Sequence, residues 1–243
     1  MDIIKKDWAN LKWCNIEDFD SGIKFIVDSQ NPKLINTKKI KEEIQVLSLR
    51  NQWTIINVSD ECFNDLSEII QKFWINQEKI GELLQGKYTW VLTPYCSVQS
   101  YLFTDEKLTP INPNVRQLER SEKALFDAFR KKCSEEDNYE VYMDFDVSFH
   151  RFYAYFNNNE IVALGDFCKI HDEDKVALPS IVTIEDYRWK WYGKAVINLI
   201  THKILEEWLV PRYRADPKNI ASRNIAKSLW YEEIFDWFSL AMR

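Results

Sequence analysis

Apolar residues recur at helical spacing in some segments of this chain and in short strand-like runs in others. The two kinds of segment interleave. In the first half, NTKKIKEEIQVLSL (36–49) predicts a helix with Asn36 or Thr37 as its cap. TIINVS (54–59) is rich in β-branched residues and predicts a strand. Ser59 or Asp60 then caps a helix in which Phe63, Leu66, Ile69, Ile70 and Phe73 recur at helical spacing. QEKIGELLQ (77–85) predicts a further short helix, and YTWVLTPY and VQSYLF predict strands. The stretch LTPINPNV (108–115), with two prolines and two asparagines, is the best boundary between domains.

The second half is more regular. SEKALFDAFRKKC (121–133) predicts a helix capped by Ser121. FHRFYAYF (149–156) and EIVALGDFCKI (160–170) predict strands joined through Asn157, Asn158 and Asn159, an asparagine-rich hairpin signal. After the polar turn HDED (171–174), KVALPSIVTI (175–184) predicts a third strand. A helix follows from about Gly193 to Trp208, then a strand PRYRA (211–215), a helix capped by Asn219, and a strand YEEIFDWFSLAM (231–242). This order predicts a mixed sheet with helices packed against it, preceded by a smaller α/β region.

Composition narrows the class. The 243 residues suffice for one large domain or two ordinary ones, and 46% hydrophobic with 29% charged residues describes a soluble globular protein. No apolar run approaches the ~20 residues of a membrane span. The start, MDIIKKDWANLKW, lacks the apolar core of a secretory signal, so a cytoplasmic location without membrane contact is expected. Cys14, Cys62, Cys96, Cys133 and Cys168 are odd in number and widely spaced, which predicts reduced thiols and no zinc site. A net charge of −6 argues against a general nucleic-acid binder. Yet residues 186–227 hold nine Lys/Arg against four Asp/Glu, a local +5 that leaves −11 elsewhere. That window is either a solvated face or a site for a compact polyanion.

Within it lies EDYRWKWYGKAV (185–196), at a strand-to-helix junction where backbone N–H groups and the helix dipole converge and favour phosphate. Arg188, Lys190 and Lys194 add positive charge there. The stretch has neither the spacing of a P-loop nor that of a dinucleotide-binding fingerprint. The second motif is NIASRNIAKSLWYEEI (219–234), with Asn219 and Ser222 three apart at a helix start.

In this order the two motifs resemble the GCN5-related N-acetyltransferases, the GNAT superfamily. The phrases IVTIEDYR, GKAVINLITHKIL and VPRYRADPKNIASRNIAKSL carry the resemblance, which covers about residues 113–243. It is also similar to a GNAT subgroup with an added N-terminal region, here residues 1–112. The resemblance implies a mixed, mostly antiparallel twisted sheet flanked by helices. It further implies acetyl-CoA as co-substrate, no metal, and a small-molecule or peptide amine as acceptor. The pantetheine arm would lie between strands 175–184 and 211–215, held near Val182 and Thr183. The pyrophosphate would meet the amides of Arg188, Trp189, Lys190, Trp191, Tyr192, Gly193, Lys194 and Ala195, with Asn219 and Ser222 along the cofactor. Arg223 and Lys227 either face phosphate or form a solvated helix face. Base candidates are Asp166, His150 and His171; Tyr231 is expected to be structural. At the position of the family's tyrosine acid stands Ala226, which leaves that role vacant. The alternative is a catalytically inactive acyl-CoA or protein-binding module, which gains weight if Trp189, Trp191, Trp208 and Trp230 are genuine.

The departures share one direction. Trp189, Trp191, Trp208 and Trp230 all stand where the family pattern has glycine. The chain has five glycines, against roughly 17 expected from average usage of about 7%, and ten tryptophans. Two explanations stay open: genuine substitution in a decayed enzyme, or UGA codons that specify glycine, as in some lineages, written as tryptophan.

Overall fold

The structure is a computed structural model. It describes the backbone of residues 22–27, 42–49, 53–58, 90–103, 108–140, 152–169 and 175–242, and side chains at 101–103, 108–138, 152–169 and 175–234. Two compact units are present. One comprises residues 1–100 with 234–243, and the other residues 101–233. Strands β4 (Trp90–Phe103) and β10 (Tyr231–Met242) each include residues of both units.

In the first unit, β1 (Gly22–Val27) pairs in parallel with β3 (Trp53–Val58), and β3 pairs antiparallel with β2 (Glu42–Leu49). The β10 segment Phe235–Met242 pairs with the other edge of β2. The helix predicted over 36–49 is therefore a strand from Glu42 onward. Its lysines and glutamates favour a helix locally, but a ladder on both edges of β2 satisfies its backbone and overrides that preference. The strand predicted at 54–59 is β3. The helices predicted around 60–73 and 77–85 lie outside the described residues, as does the turn 171–174.

The second unit carries the candidate site. Its strands run in the order β4–β9–β8–β7–β6–β5, with β5 at Val115–Gln117, β6 at Tyr153–Asn157, β7 at Glu160–Lys169, β8 at Val176–Thr183 and β9 at Val210–Ala215. Neighbours from β5 to β8 are antiparallel, and β8 and β9 are parallel. The β6–β7 hairpin turns at Asn158 and Asn159, with φ of 51° and 64°. Asparagine tolerates this left-handed region better than most residues, as a two-residue hairpin turn requires. Ile161 to Phe167 of β7 are all buried, because helices cover both faces of the sheet.

Helix α3 (Tyr192–Glu206) buries Val196, Ile197, Ile200 and Ile204 completely, and shares its core with Ala226 and Leu229 of the α4 region (α4, Ile220–Ser228). The second core places Phe126 and Phe129 of α1 (Lys123–Lys132) with Leu164, Val182 and Ile184. A 3-10 turn at Arg120–Glu122 leads into α1, and the Glu122 carboxylate accepts from the Glu119 N–H at 2.9 Å. Ser121, the expected cap, lies inside that turn. The proline-rich stretch before β5 is fastened to α3: Asn198 Nδ2 donates to Thr109 O at 3.1 Å and Pro110 O at 3.2 Å, and His202 Nε2 lies 2.9 Å from Thr109 O. Its prolines lower the entropy of that attachment, so a composition typical of a linker here forms a strap.

Candidate acyl-CoA site

The ladder between β8 and β9 ends almost as soon as it starts. It contains Val176 opposite Val210 and Ala177 opposite Pro211. On its other edge β8 keeps seven consecutive pairs with β7, from Ala177 to Thr183. No β8–β9 pair follows, although β8 continues to Thr183 and β9 to Ala215. The end of β8 leads directly into the turn Glu185–Trp191 and then α3. The edge of β8 beyond Ala177 is thus unpaired with β9 on its way to the start of a fifteen-residue helix. The first intrahelical bond runs from Ala195 N to Trp191 O at 3.1 Å, so the N–H groups of the preceding turn have no acceptor within the helix.

Several solved structures are similar to the chain. A GCN5-related N-acetyltransferase-like protein from Streptococcus suis is 15% identical over 89% of this chain and 86% of its own, with a TM-score of 0.48. A GNAT-family acetyltransferase from Colwellia psychrerythraea is 12% identical over 68% of this chain and 62% of its own, with a TM-score of 0.49. The aminoglycoside N-acetyltransferase AAC(6')-Iy, solved in complex with CoA, is 16% identical over 49% of this chain and 91% of its own, at 0.38. At these identities and TM-scores the likeness carries no statement about activity or substrate. No family model matches the sequence, and no curated protein matches it either.

The four tryptophans share one backbone conformation. Trp189, Trp191, Trp208 and Trp230 have φ of 66°, 65°, 60° and 65°. Among the described residues the only other non-glycines at positive φ are Asn158 and Asn159. The indoles are 76%, 64%, 90% and 58% exposed, so none is drawn into place by burial. Trp208 occupies the C′ position of α3 in a Schellman motif: Trp208 N donates to Leu205 O at 3.0 Å and Leu209 N to Ile204 O at 3.1 Å. Trp230 occupies the C′ position of α4, its N–H donating to Lys227 O at 3.3 Å. Trp189 and Trp191 alternate with Lys190 in the turn before α3.

The other expected cofactor residues fall into groups. Arg188 is held by a bidentate pair with Asp137 of α2 (Glu135–Glu140), at 2.8 and 2.9 Å, and its Nε donates to Thr183 O at 3.2 Å. This ties the turn to α2 and to the end of β8. Lys190 Nζ donates to Asp186 O at 3.1 Å and lies 5.1 Å from the ring centre of Tyr187. Lys194 Nζ lies 5.4 Å from the ring centre of Trp191. Tyr192 packs on Tyr155 with ring centres 4.4 Å apart. Gly193 is buried where α3 crosses β8: a Cβ there would stand 3.0 Å from Thr183 Oγ1 and 3.3 Å from Ile181. That close crossing is a reason for glycine independent of any ligand. Ala195 is half-buried beside it, and Val182 is buried in the second core.

Asn219 caps α4, its Oδ1 accepting from Ser222 N at 2.9 Å, and Ser222 Oγ meets Tyr213 OH at 2.8 Å. Full burial pushes the Tyr213 phenol up to about 12, opposed by its bond to Ser222. Arg223 donates to Tyr101 OH at 3.2 Å and Pro217 O at 3.0 Å, which gives it a structural task. Arg212 is buried, and Lys203 pairs with Glu206. Much of the local positive charge is thus engaged within the fold. Lys227 is exposed on α4.

Of the three base candidates, His150 and His171 lie outside the described residues. Asp166 is buried on β7, and the Ser180 hydroxyl of β8 donates to its carboxylate. Tyr231 is buried with its hydroxyl 2.8 Å from Thr201 Oγ1, and burial raises its pKa far above the ordinary range. Ala226 is fully buried. Burial raises the Cys133 thiol to about 11, and burial and Asp166 raise Cys168 against the pull of Arg214, so neither is a thiolate at neutral pH. Among the described residues no cluster of metal-binding side chains is found, and no described helix is long and apolar enough to cross a membrane.

Proposed function

We propose that the chain is an acyl-CoA-dependent N-acyltransferase with acetyl-CoA as donor and a primary amine, on a small molecule or a peptide, as acceptor. The observation that supports this best is that β8 and β9 pair only at their starts, which leaves the edge of β8 unpaired with β9 up to the turn before α3. Such an unpaired edge offers hydrogen bonds to the amides of an extended pantetheine arm, and the first N–H groups of α3, which have no acceptor within the helix, suit its pyrophosphate. In the reaction the amine nitrogen bonds to the thioester carbon, the C–S bond breaks, the amine loses a proton and CoA leaves as thiolate. That chemistry calls for a base and for donors to the developing oxyanion. Asp166 is the described base candidate, and its bond from Ser180 sets the orientation of its carboxylate.

One observation favours a second reading. Ala226 stands at the position of the family's acid and has no group to protonate a thiolate. The chain would then bind acyl-CoA without turning it over. Release of free thiol from acetyl-CoA, followed with a panel of primary amines, separates the two. Amine-dependent thiol release supports the enzyme. Binding of acetyl-CoA with no release under any amine supports the binding module.

A further inference from the structure

The left-handed backbone at Trp189, Trp191, Trp208 and Trp230 has a consequence for the identity of these residues. A bulky residue rarely adopts positive φ, because its Cβ meets the neighbouring carbonyl oxygen. Of the seven tryptophans with described backbone, Trp53, Trp90 and Trp237 lie in strands, and the remaining four are all left-handed. If each tryptophan had the few-per-cent chance usual for a non-glycine, four of seven would occur about once in ten thousand chains. Among the described residues no phenylalanine, tyrosine, leucine, isoleucine or valine is left-handed. The anomaly therefore belongs to tryptophan and not to large residues in general.

Burial does not compensate, since all four indoles project into solvent. Two of the four close helices at C′, a position glycine fills because it has no Cβ. Decay of an enzyme gives no reason for one residue type to collect at left-handed positions. A codon read in two ways gives that reason directly. UGA is tryptophan under one code and glycine under another, and glycine is the residue these four backbones call for. The same exchange moves the composition the right way, raising the five glycines to nine and lowering the ten tryptophans to six.

We infer that residues 189, 191, 208 and 230 are glycine in the protein as its own cell makes it, each encoded by UGA. This rests on backbone conformation and exposure, and it stands whether or not the chain transfers acyl groups. The test reads the four codons and the peptides spanning them, by mass spectrometry of protein purified from the source cells. UGA at all four codons with glycine in every peptide is expected. UGG at any of the four, or tryptophan in any of the native peptides, overturns the inference.

Discussion

Replacing Trp189, Trp191, Trp208 and Trp230 together by glycine should stabilise the chain. Each left-handed non-glycine costs roughly 1–2 kcal/mol in local clash. Glycine gives back part of this, about 0.5–1 kcal/mol, through the greater freedom of the unfolded chain. The indoles are 58% to 90% exposed, so their removal sacrifices little buried surface. The net gain is about 0.5–1 kcal/mol per site. Positions 208 and 230 are separate helix ends and should add independently, whereas 189 and 191 share one turn and are expected to couple. The total is about 2–4 kcal/mol. For a chain of this size that raises Tm by roughly 8 °C, read by circular dichroism or differential scanning calorimetry on both versions made in one host. Trp237→Gly in strand β10 serves as the control and should lower Tm, because glycine weakens a strand. A four-glycine chain no more stable than the tryptophan chain would refute the reasoning about strain.

Other substitutions probe the frame of the site. Asn198→Ala strips Pro110 O of its donor and Thr109 O of one of two, and should cost about 1–3 kcal/mol in a denaturant melt. Gly165→Ala would place a Cβ 2.4 Å from Ser180 O and 2.9 Å from Ile200 Cδ1, so about 3 kcal/mol or failure to express soluble protein is expected. Glu122 is held at about 2, below its ordinary 4.5, first by its hydrogen bond from Arg116. Its folded-state pKa is depressed, so its contribution is complete above 4.5 and lost as pH falls toward 2. Glu122→Gln should therefore be less stable at pH 7, with a gap to the parent that closes over that interval. A gap independent of pH would show that the ion pair is not its source.

The second half of the chain was legible because its strands are buried on both faces and its turns use asparagine. Continuous apolar runs such as 160–170 and 175–184 leave little choice of element. The Asn219 cap was readable for the same local reason, as its bond reaches only to Ser222. Strand β2 was not, since charged residues of high helix propensity form a strand only when two neighbours pair with it. The strand β1 gave no clear alternation and went unrecognised. At the site, the turn was legible from its place between a strand and a helix. The engagement of Arg188 by Asp137 was not, because 51 residues separate the partners. The packing role of Gly193 against β8 likewise exists only in three dimensions. The tryptophans were conspicuous by composition, but their shared φ had to be observed.

Titration of acetyl-CoA into the chain carrying glycine at 189, 191, 208 and 230, followed by calorimetry, tests the functional account most directly. Saturable binding with one site per chain is predicted. It should be much weaker in the tryptophan form, whose exposed indoles at 189 and 191 flank the turn. Absence of acetyl-CoA binding by the folded four-glycine chain would contradict the assignment of the unpaired β8 edge and the turn after it as an acyl-CoA site.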